Sequence, residues 1–213
     1  MIQKGKQMTL FIILLLIITL YILYKQLLRQ SIQPSGWIGN MMMKLWNNVY
    51  LPMSIWSLSF LKEQSFDNIL DIGVGNGATT KYISNTFISD FIIGIDISDK
   101  AIEQAKFRNS NYNIAYEKKD INKTQYPSNH FDLVCAFQNH FHWTDLRGSF
   151  LEIRRILSSD GIFIIGCEYA KIKYFLYHLK EKSSFEKYLN DLGLELMQME
   201  QQKDWIFYKI RKI

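Results

Sequence analysis

Hydrophobic residues follow three patterns along the 213-residue chain, and each predicts its own kind of element. The first is continuous: Met8–Tyr24 reads MTLFIILLLIITLYILY, 17 residues with no charge and no polar stripe. A helix that is apolar all round belongs inside a membrane or a large core. At 1.5 Å per residue it extends roughly 25 Å, short of a bilayer core of about 30 Å, and its tyrosines and flanking lysines can reach into the interface. A cleaved signal peptide would have a shorter apolar region and a small-residue cleavage site, and a helix packed on the core of a domain this small would have a polar side. Residues 1–30 are therefore expected to form an N-terminal membrane anchor, with a single transmembrane helix over residues 8–24.

The second pattern is helical spacing interrupted by breakers. Residues 26–40 hold Pro34, Ser35, Gly36 and Gly39 and read as a short linker. Residues 41–62 place Met, Trp and Leu at helical intervals around Pro52 and predict one or two helices. Together residues 31–66 form a linker and lead-in to the rest of the chain.

From residue 68 the third pattern, short apolar runs alternating with amphipathic ones, takes over. Strands are expected at residues 68–75, 91–98, 113–120, 131–137 and 161–169, the third being more polar, as an edge strand is. Helices are expected at residues 77–87, at Asp99–Arg108 with Ser98 as N-cap, from about Leu146 to Leu157, and as one long helix over 171–191. Such alternation implies a doubly wound α/β fold with a parallel sheet and right-handed crossovers. The runs at residues 194–201 and 205–213 lie only three residues apart, too close for a helical crossover. They must pair as a C-terminal antiparallel hairpin, which completes a mostly parallel sheet of seven strands.

Composition adds two exclusions. With 48% hydrophobic and 15% aromatic residues the chain can bury a core, and two cysteines are too few for a disulfide framework or a thiolate metal cluster. The net charge of +5 invites a nucleic-acid partner until its location is considered. Lys4, Lys6, Lys25 and Arg29 flank the apolar helix with no acid among residues 1–30, which leaves 21 basic against 20 acidic side chains in the remaining 183 residues. The charge belongs to the anchor. No basic stripe remains for a nucleic acid.

Candidate chemistry gathers at the carboxyl ends of the first strands. Asp71-Ile72-Gly73-Val74-Gly75-Asn76-Gly77 is a strand end running into a glycine turn, where a ligand can approach bare backbone. Asp96 ends the second strand, placed to accept ribose hydroxyls. Asp120 ends the third, placed to receive an adenine amine, with Ile97 and Ile121 beside them to pack on the ring faces. Gly73, Gly75 and Ala78 also satisfy a dinucleotide pattern, so an NAD-dependent oxidoreductase is one alternative. Asp71 discriminates: a carboxylate two residues before the glycines repels a pyrophosphate but holds an ammonium or sulfonium. The ligand with that charge, a ribose and an adenine is S-adenosylmethionine.

The segments ILDIGVGNGATT, IIGIDIS, FDLVCAFQNHFHWTDL and FLEIRRILSSDGIFII resemble class I S-adenosylmethionine-dependent methyltransferases of the small-molecule type, over about residues 67–169. Ser159-Asp160-Gly161 stands where the family usually has Pro-Gly-Gly. The resemblance implies a cofactor-binding methyltransferase domain over residues 67–213. It also implies that the loop after the fourth strand, Gln138 to Trp143, faces the transferred methyl group. His140 is the first candidate for a base there and His142 the second. Gln138 belongs with the cofactor pocket, and Phe141 and Trp143 with its lining. No metal is expected, since His140 and His142 have no third ligand at a suitable spacing. Cys135 and Cys167 read as core. The aromatic run around Tyr169, Tyr174, Phe175 and Tyr177 either packs against the sheet, which its spacing favours, or lines the acceptor pocket.

The expected activity is methylation of a small acceptor, with a membrane-near molecule such as a lipid, quinone or sterol preferred on the ground of the anchor alone. A non-catalytic cofactor-binding protein of the same fold is the second alternative. S-adenosylmethionine is supplied in the cytosol, so the catalytic domain should face it, although two basic residues on each side of the helix leave orientation unset by charge.

Overall fold

The computed structural model describes residues 2–32, 36–61, 65–109 and 112–213. Seven strands form one sheet in the order β3-β2-β1-β4-β5-β7-β6. They are β1 (Asn68–Ile72), β2 (Phe91–Asp96), β3 (Ile114–Lys118), β4 (Phe131–Phe137), β5 (Leu157–Glu168), β6 (Leu194–Gln202) and β7 (Trp205–Lys212). The first five run parallel, and β7 inserts antiparallel between β5 and β6. The doubly wound sheet with a closing hairpin is as the spacing predicts, and β3 is indeed an edge. The fifth strand is longer than expected, beginning at Leu157: a register shift between Phe131 and Leu133 absorbs the Ser159-Asp160-Gly161 segment into the β4–β5 ladder.

Side chains alternate across the sheet and build two layers. Leu70, Ile72, Val134, Ala136, Phe163 and Ile165 face α5 (Leu146–Ile156) and α7 (Lys182–Asn190), where Phe150, Ile153, Phe185 and Leu189 complete one core. Ile69, Leu133, Cys135, Ile164 and Phe207 face the other way, against Leu58 of α2 (Gly36–Leu58) and Ile83 of α3 (Ala78–Thr86). On the same side as α3, α4 (Asp99–Arg108) presents Ile102 and Ala105 to Val74 and Tyr116. Ser98 caps α4, its hydroxyl accepting from the Ala101 amide at 3.3 Å. Both cysteines are fully buried.

Two expectations about helices are corrected. Residues 171–191 are not one helix: α6 (Tyr169–Phe175) ends at Leu176, a short 3-10 turn follows over Tyr177–Leu179, and α7 starts at Lys182. At about 100° per residue, Ile172 and Leu179 share one face of a continuous helix while Phe185 and Leu189 lie on another. All four are buried, and only a break in the helix turns both faces to the sheet. The linker read over residues 26–40 is also mostly helical. α1 (Ile2–Ile32) continues through it and α2 starts at Gly36, while Pro34 and Ser35 lie outside the described residues. Pro52 sits inside α2 rather than ending it. A proline removes one helical hydrogen bond, but the turn after it buries Met53, Ser57 and Leu58, and that packing outweighs the lost bond.

Gln7–Arg29 is long and apolar enough to cross a membrane, and residues 8–24 are exposed throughout.

Phe150 is the aromatic hub of the first core, with ring centroids 5.5 Å from Phe163, 5.7 Å from Tyr188, 6.1 Å from Trp143 and 6.4 Å from Phe185. Truncation should leave a cavity between sheet and helices. Phe150→Ala is expected to lower unfolding free energy by about 3–5 kcal/mol in urea titrations, with an unchanged slope. A loss below about 1 kcal/mol would mean that the two layers do not depend on this ring.

Candidate functional site

Every parallel strand delivers its carboxyl end to one edge of the sheet. The order reverses between β1 and β4, since β2 and β3 extend one way and β5 the other. An open α/β sheet has a crevice at such a point, and here a cleft of about 560 Å³ lies over the ends of β1, β2 and β4 and the residues that follow β3.

Asp71, the penultimate residue of β1, lines this cleft although it is only 2% exposed. Its Oδ2 accepts from Thr80 Oγ1 at 2.7 Å. Burial raises the carboxyl from its ordinary range to about 7, the Thr80 hydrogen bond opposing and the nearby Asp96 charge reinforcing the rise. A cation in the cleft would favour the ionised form.

The turn after β1 is tied to β2. The Gly73 and Val74 amides both donate to the Ile95 carbonyl, at 2.7 and 3.2 Å, and the Gly75 amide donates to Asp96 Oδ2 at 3.0 Å. Asp96 Oδ1 accepts from the Ser98 amide at 2.9 Å. Burial raises the Asp96 carboxyl, while the amides of Ser98, Gly75 and Ile97 oppose the rise. Three amides use three of the carboxylate's roughly four lone pairs, which leaves one for a further donor such as a ribose hydroxyl.

The three glycines are all left-handed, with φ of +69° at Gly73, +54° at Gly75 and +78° at Gly77, but their tasks differ. A Cβ on Gly75 would meet nothing within 4 Å, so this backbone is open to a ligand. A Cβ on Gly73 would collide with the Asn139 side chain, which donates from Nδ2 to the Ile72 carbonyl. Gly77 does not line the cleft; a Cβ there would come within 2.5 Å of Asn109 Nδ2 and 2.9 Å of the Tyr116 hydroxyl. Its expected role in holding the ligand is corrected to one in packing, because α3 starts against α4 and β3 at that point.

Ile97, 41% exposed, and Ile121, buried, both line the cleft and form its apolar sides. Asp120 lines it too, but its Oδ1 is already engaged by Asn122, from the amide at 2.9 Å and from Nδ2 at 3.1 Å. Gln138 is held rigidly in a left-handed conformation at φ +57°. Its Nε2 donates to Glu168 Oε2 at 2.7 Å, and its Oε1 accepts from the Glu168 amide at 2.8 Å. Tyr50 of α2 hydrogen-bonds to Gln138, and burial holds its phenol above the usual range.

The order of the two histidines is reversed. His140 does not line the cleft: it is 2% exposed, its Nδ1 has no hydrogen-bond partner among the described residues, and burial lowers its pKa to about 3. It packs edge-on against Phe141 and Trp143. His142 is half-buried and lines the cleft, its ring 5.2 Å from that of Phe175. Burial and the Lys171 charge lower its pKa, so it is neutral at physiological pH and able to accept a proton. No third metal-ligating side chain joins the pair among the described residues.

Several lining residues escaped the sequence reading. Tyr24, Leu27 and Leu28 come from the end of α1, Tyr50, Leu51 and Ser54 from α2, and Lys119 and Lys171 from beyond β3 and β5. Phe175, whose spacing favoured packing over pocket lining, lines the cleft. Amphipathic spacing marked the helices, but nothing local says which sheet edge they cover.

The sequence profile of the methyltransferase domain family matches residues 70–165. The chain carries a class I S-adenosylmethionine-dependent methyltransferase domain. Among curated relatives, sterol 24-C-methyltransferase of Saccharomyces cerevisiae is 31% identical over 106 residues, 48% of this chain and 27% of that protein. YcgJ, an uncharacterized methyltransferase of Bacillus subtilis, is 28% identical over 106 residues, 48% of this chain and 41% of that protein. The chain thus spans about a quarter of the length of the sterol methyltransferases it matches. Among solved structures, an S-adenosylmethionine-dependent methyltransferase of Aquifex aeolicus superimposes with a TM-score of 0.64 at 15% identity, over 75% of this chain and 89% of that one. A chain from the complex of the Haloferax volcanii Trm112 activator with a methyltransferase reaches 0.71 at 14% identity, over 83% and 95%.

S-adenosylmethionine is the cofactor of this methyltransferase domain, and the site fits it. A buried carboxyl able to ionise beside a cation, an open glycine backbone, a second carboxylate with a lone pair to spare and an apolar pair, Ile97 and Ile121, all line one cleft.

A group whose folded pKa is raised from 3.8 to about 7 makes the cofactor-free fold lose stability as pH climbs through that window. At pH 8, Asp71→Asn is therefore expected to hold or raise the melting temperature of the cofactor-free protein. The same variant should weaken S-adenosylmethionine binding about tenfold or more by calorimetry. A lower melting temperature with unchanged affinity would make Asp71 structural. Gly77→Ala should fail to fold, whereas Gly75→Ala should fold and bind cofactor poorly.

Proposed function

We propose that the protein transfers a methyl group from S-adenosylmethionine to a small acceptor that resides in or on a membrane, with the domain facing the cytosol. The observation carrying this reading is the make-up of the cleft. Asp71, Gly75, Asp96, Ile97 and Ile121 lie on the cofactor side, and the rest of its wall includes Tyr24, Leu27 and Leu28. Those three residues are the foot of the apolar helix Gln7–Arg29. If that helix is embedded, the cleft opens at the bilayer surface, where an apolar acceptor can enter without crossing water. That some relatives are named sterol 24-C-methyltransferases supports an apolar acceptor. The nearly neutral balance outside residues 1–30 supports a small molecule over a nucleic acid.

When bound, S-adenosylmethionine supplies a methyl group activated on a sulfonium sulfur. The protein then has three tasks: to hold, to orient and to manage a proton. Asp71 and Asp96 hold the cofactor's charge and ribose. The clasp between Gln138 and Glu168 fixes the loop after β4 so that His142 projects into the cleft. Neutral His142 accepts the proton that the acceptor loses.

The test uses the full chain in lipid nanodiscs with methyl-labelled S-adenosylmethionine. Saturable binding is expected, weakened at least about tenfold by Asp96→Ala. His142→Gln should bind cofactor normally and transfer label to an added membrane lipid extract about a hundredfold more slowly. No saturable binding, or wild-type affinity in Asp96→Ala, would overturn the cofactor assignment. Label transferred only to water-soluble compounds would overturn the membrane acceptor.

A further inference from the structure

The part of the cleft beyond the cofactor side contains a cation that no acid among the described residues pairs with. Lys171 of α6 lines the cleft and makes no hydrogen bond or ion pair with any described residue. Neighbouring lysines are committed. Lys119, also in the cleft, donates to the Thr124 carbonyl at 3.0 Å, pairs with Glu117 at 3.2 Å and lies 4.3 Å from the Tyr126 ring. Lys173 lies over Tyr169, and Lys180 over Tyr177. Glu168, the nearest acid along the chain, is occupied by Gln138.

Lys171 is close enough for its charge to act on His142. A proton acceptor beside an unpaired ammonium suits a hydroxyl that must become an oxyanion: one group takes the proton, and the other stabilises the charge left behind. A carboxylate acceptor would arrive ionised and leave His142 idle, and an amine would be repelled by Lys171. The surrounding wall, Leu27, Leu51, Phe141 and Phe175, is apolar. The remaining titratable groups facing the cleft are Asp71, Asp96 and Asp120 on the cofactor side, with Tyr24, Tyr50 and Lys119.

We propose that the acceptor is an amphiphilic phenol or enol, methylated on oxygen, with His142 as proton acceptor and Lys171 as the oxyanion-binding residue. This inference rests on the methyltransferase reading and names its acceptor class. The acceptor O–H proton passes to His142, and an oxygen lone pair forms the new O–C bond. The C–S electron pair stays on sulfur, which leaves as a neutral thioether, and the imidazolium returns its proton to solvent.

The test reads ionisation rather than turnover. 4-Nonyl-2-nitrophenol, whose phenolate is coloured, is titrated with the full chain in nanodiscs, empty nanodiscs serving as the partition control. The bound probe should ionise about one pH unit lower than in empty nanodiscs, a tenfold shift of the equilibrium. Lys171→Met should abolish that shift, and Lys171→Arg should retain it. Affinity for S-adenosylmethionine, measured in parallel, should be unchanged in both variants. An equal shift in wild type and Lys171→Met, or a methyl ether of the probe that binds as well as the phenol, would overturn the proposal while leaving the methyltransferase reading intact. Loss of cofactor binding in the wild type would instead remove that reading.

Discussion

The contact that organises the functional edge of this protein is the bridge from Asn139 to the carbonyl of Ile72. It joins the ends of β1 and β4, the neighbouring strands from which the sheet order runs in opposite directions. Without such a bridge the diverging strand ends would leave a backbone carbonyl unsatisfied at the floor of the crevice. The bridge occupies the space that a side chain on residue 73 would need, so the chain must leave β1 through a left-handed glycine. That departure points the Gly75 amide at Asp96 and leaves its backbone open above the cleft. On the other strand, the turn that places Asn139 also sends His140 inward and His142 into the cleft.

Electrostatics at this edge works against stability in the absence of ligand. Asp71 and Asp96 are both pushed toward their neutral forms by burial, and each raises the energy of ionising the other. Hydroxyl and amide donors offset part of that penalty, and a cationic ligand offsets more. The arrangement follows the general tendency of functional sites to retain groups that a purely structural design would replace. The half of the cleft under β4 and β5 has the opposite character, with Lys171 and neutral His142 set among aromatic and aliphatic side chains.

Two helices that precede the matched domain line the cleft. α2 brings Tyr50 to Gln138, and the last turns of α1 close one side with Tyr24, Leu27 and Leu28. Four of the five units of net charge reside on α1, and the rest of the chain is close to neutral. The element that the charge pattern associates with a membrane is thus also an element of the cleft wall.

Local patterns in the sequence determined the strands, the Ser98 cap, the closing hairpin, the burial of both cysteines and the placement of Asp71, Asp96, Ile97 and Ile121 around one cleft. Each follows from rules that act within a few residues: short continuous apolar runs, a hydroxyl before a helix, a connection too short for a crossover, and strand ends that share one edge. Tertiary structure decided the rest. Three similar glycines acquired three tasks because Asn139, open space and Asn109 stand above them, and those partners lie 32 to 66 residues away in the chain. His140 and His142 differ by two positions, yet one is buried and the other faces the cleft. The helix break at Leu176 and the continuity across Pro52 were set by which faces the sheet could bury. An apolar residue records that it needs cover and a polar one that it needs a partner; which cover and which partner are settled only when distant segments meet.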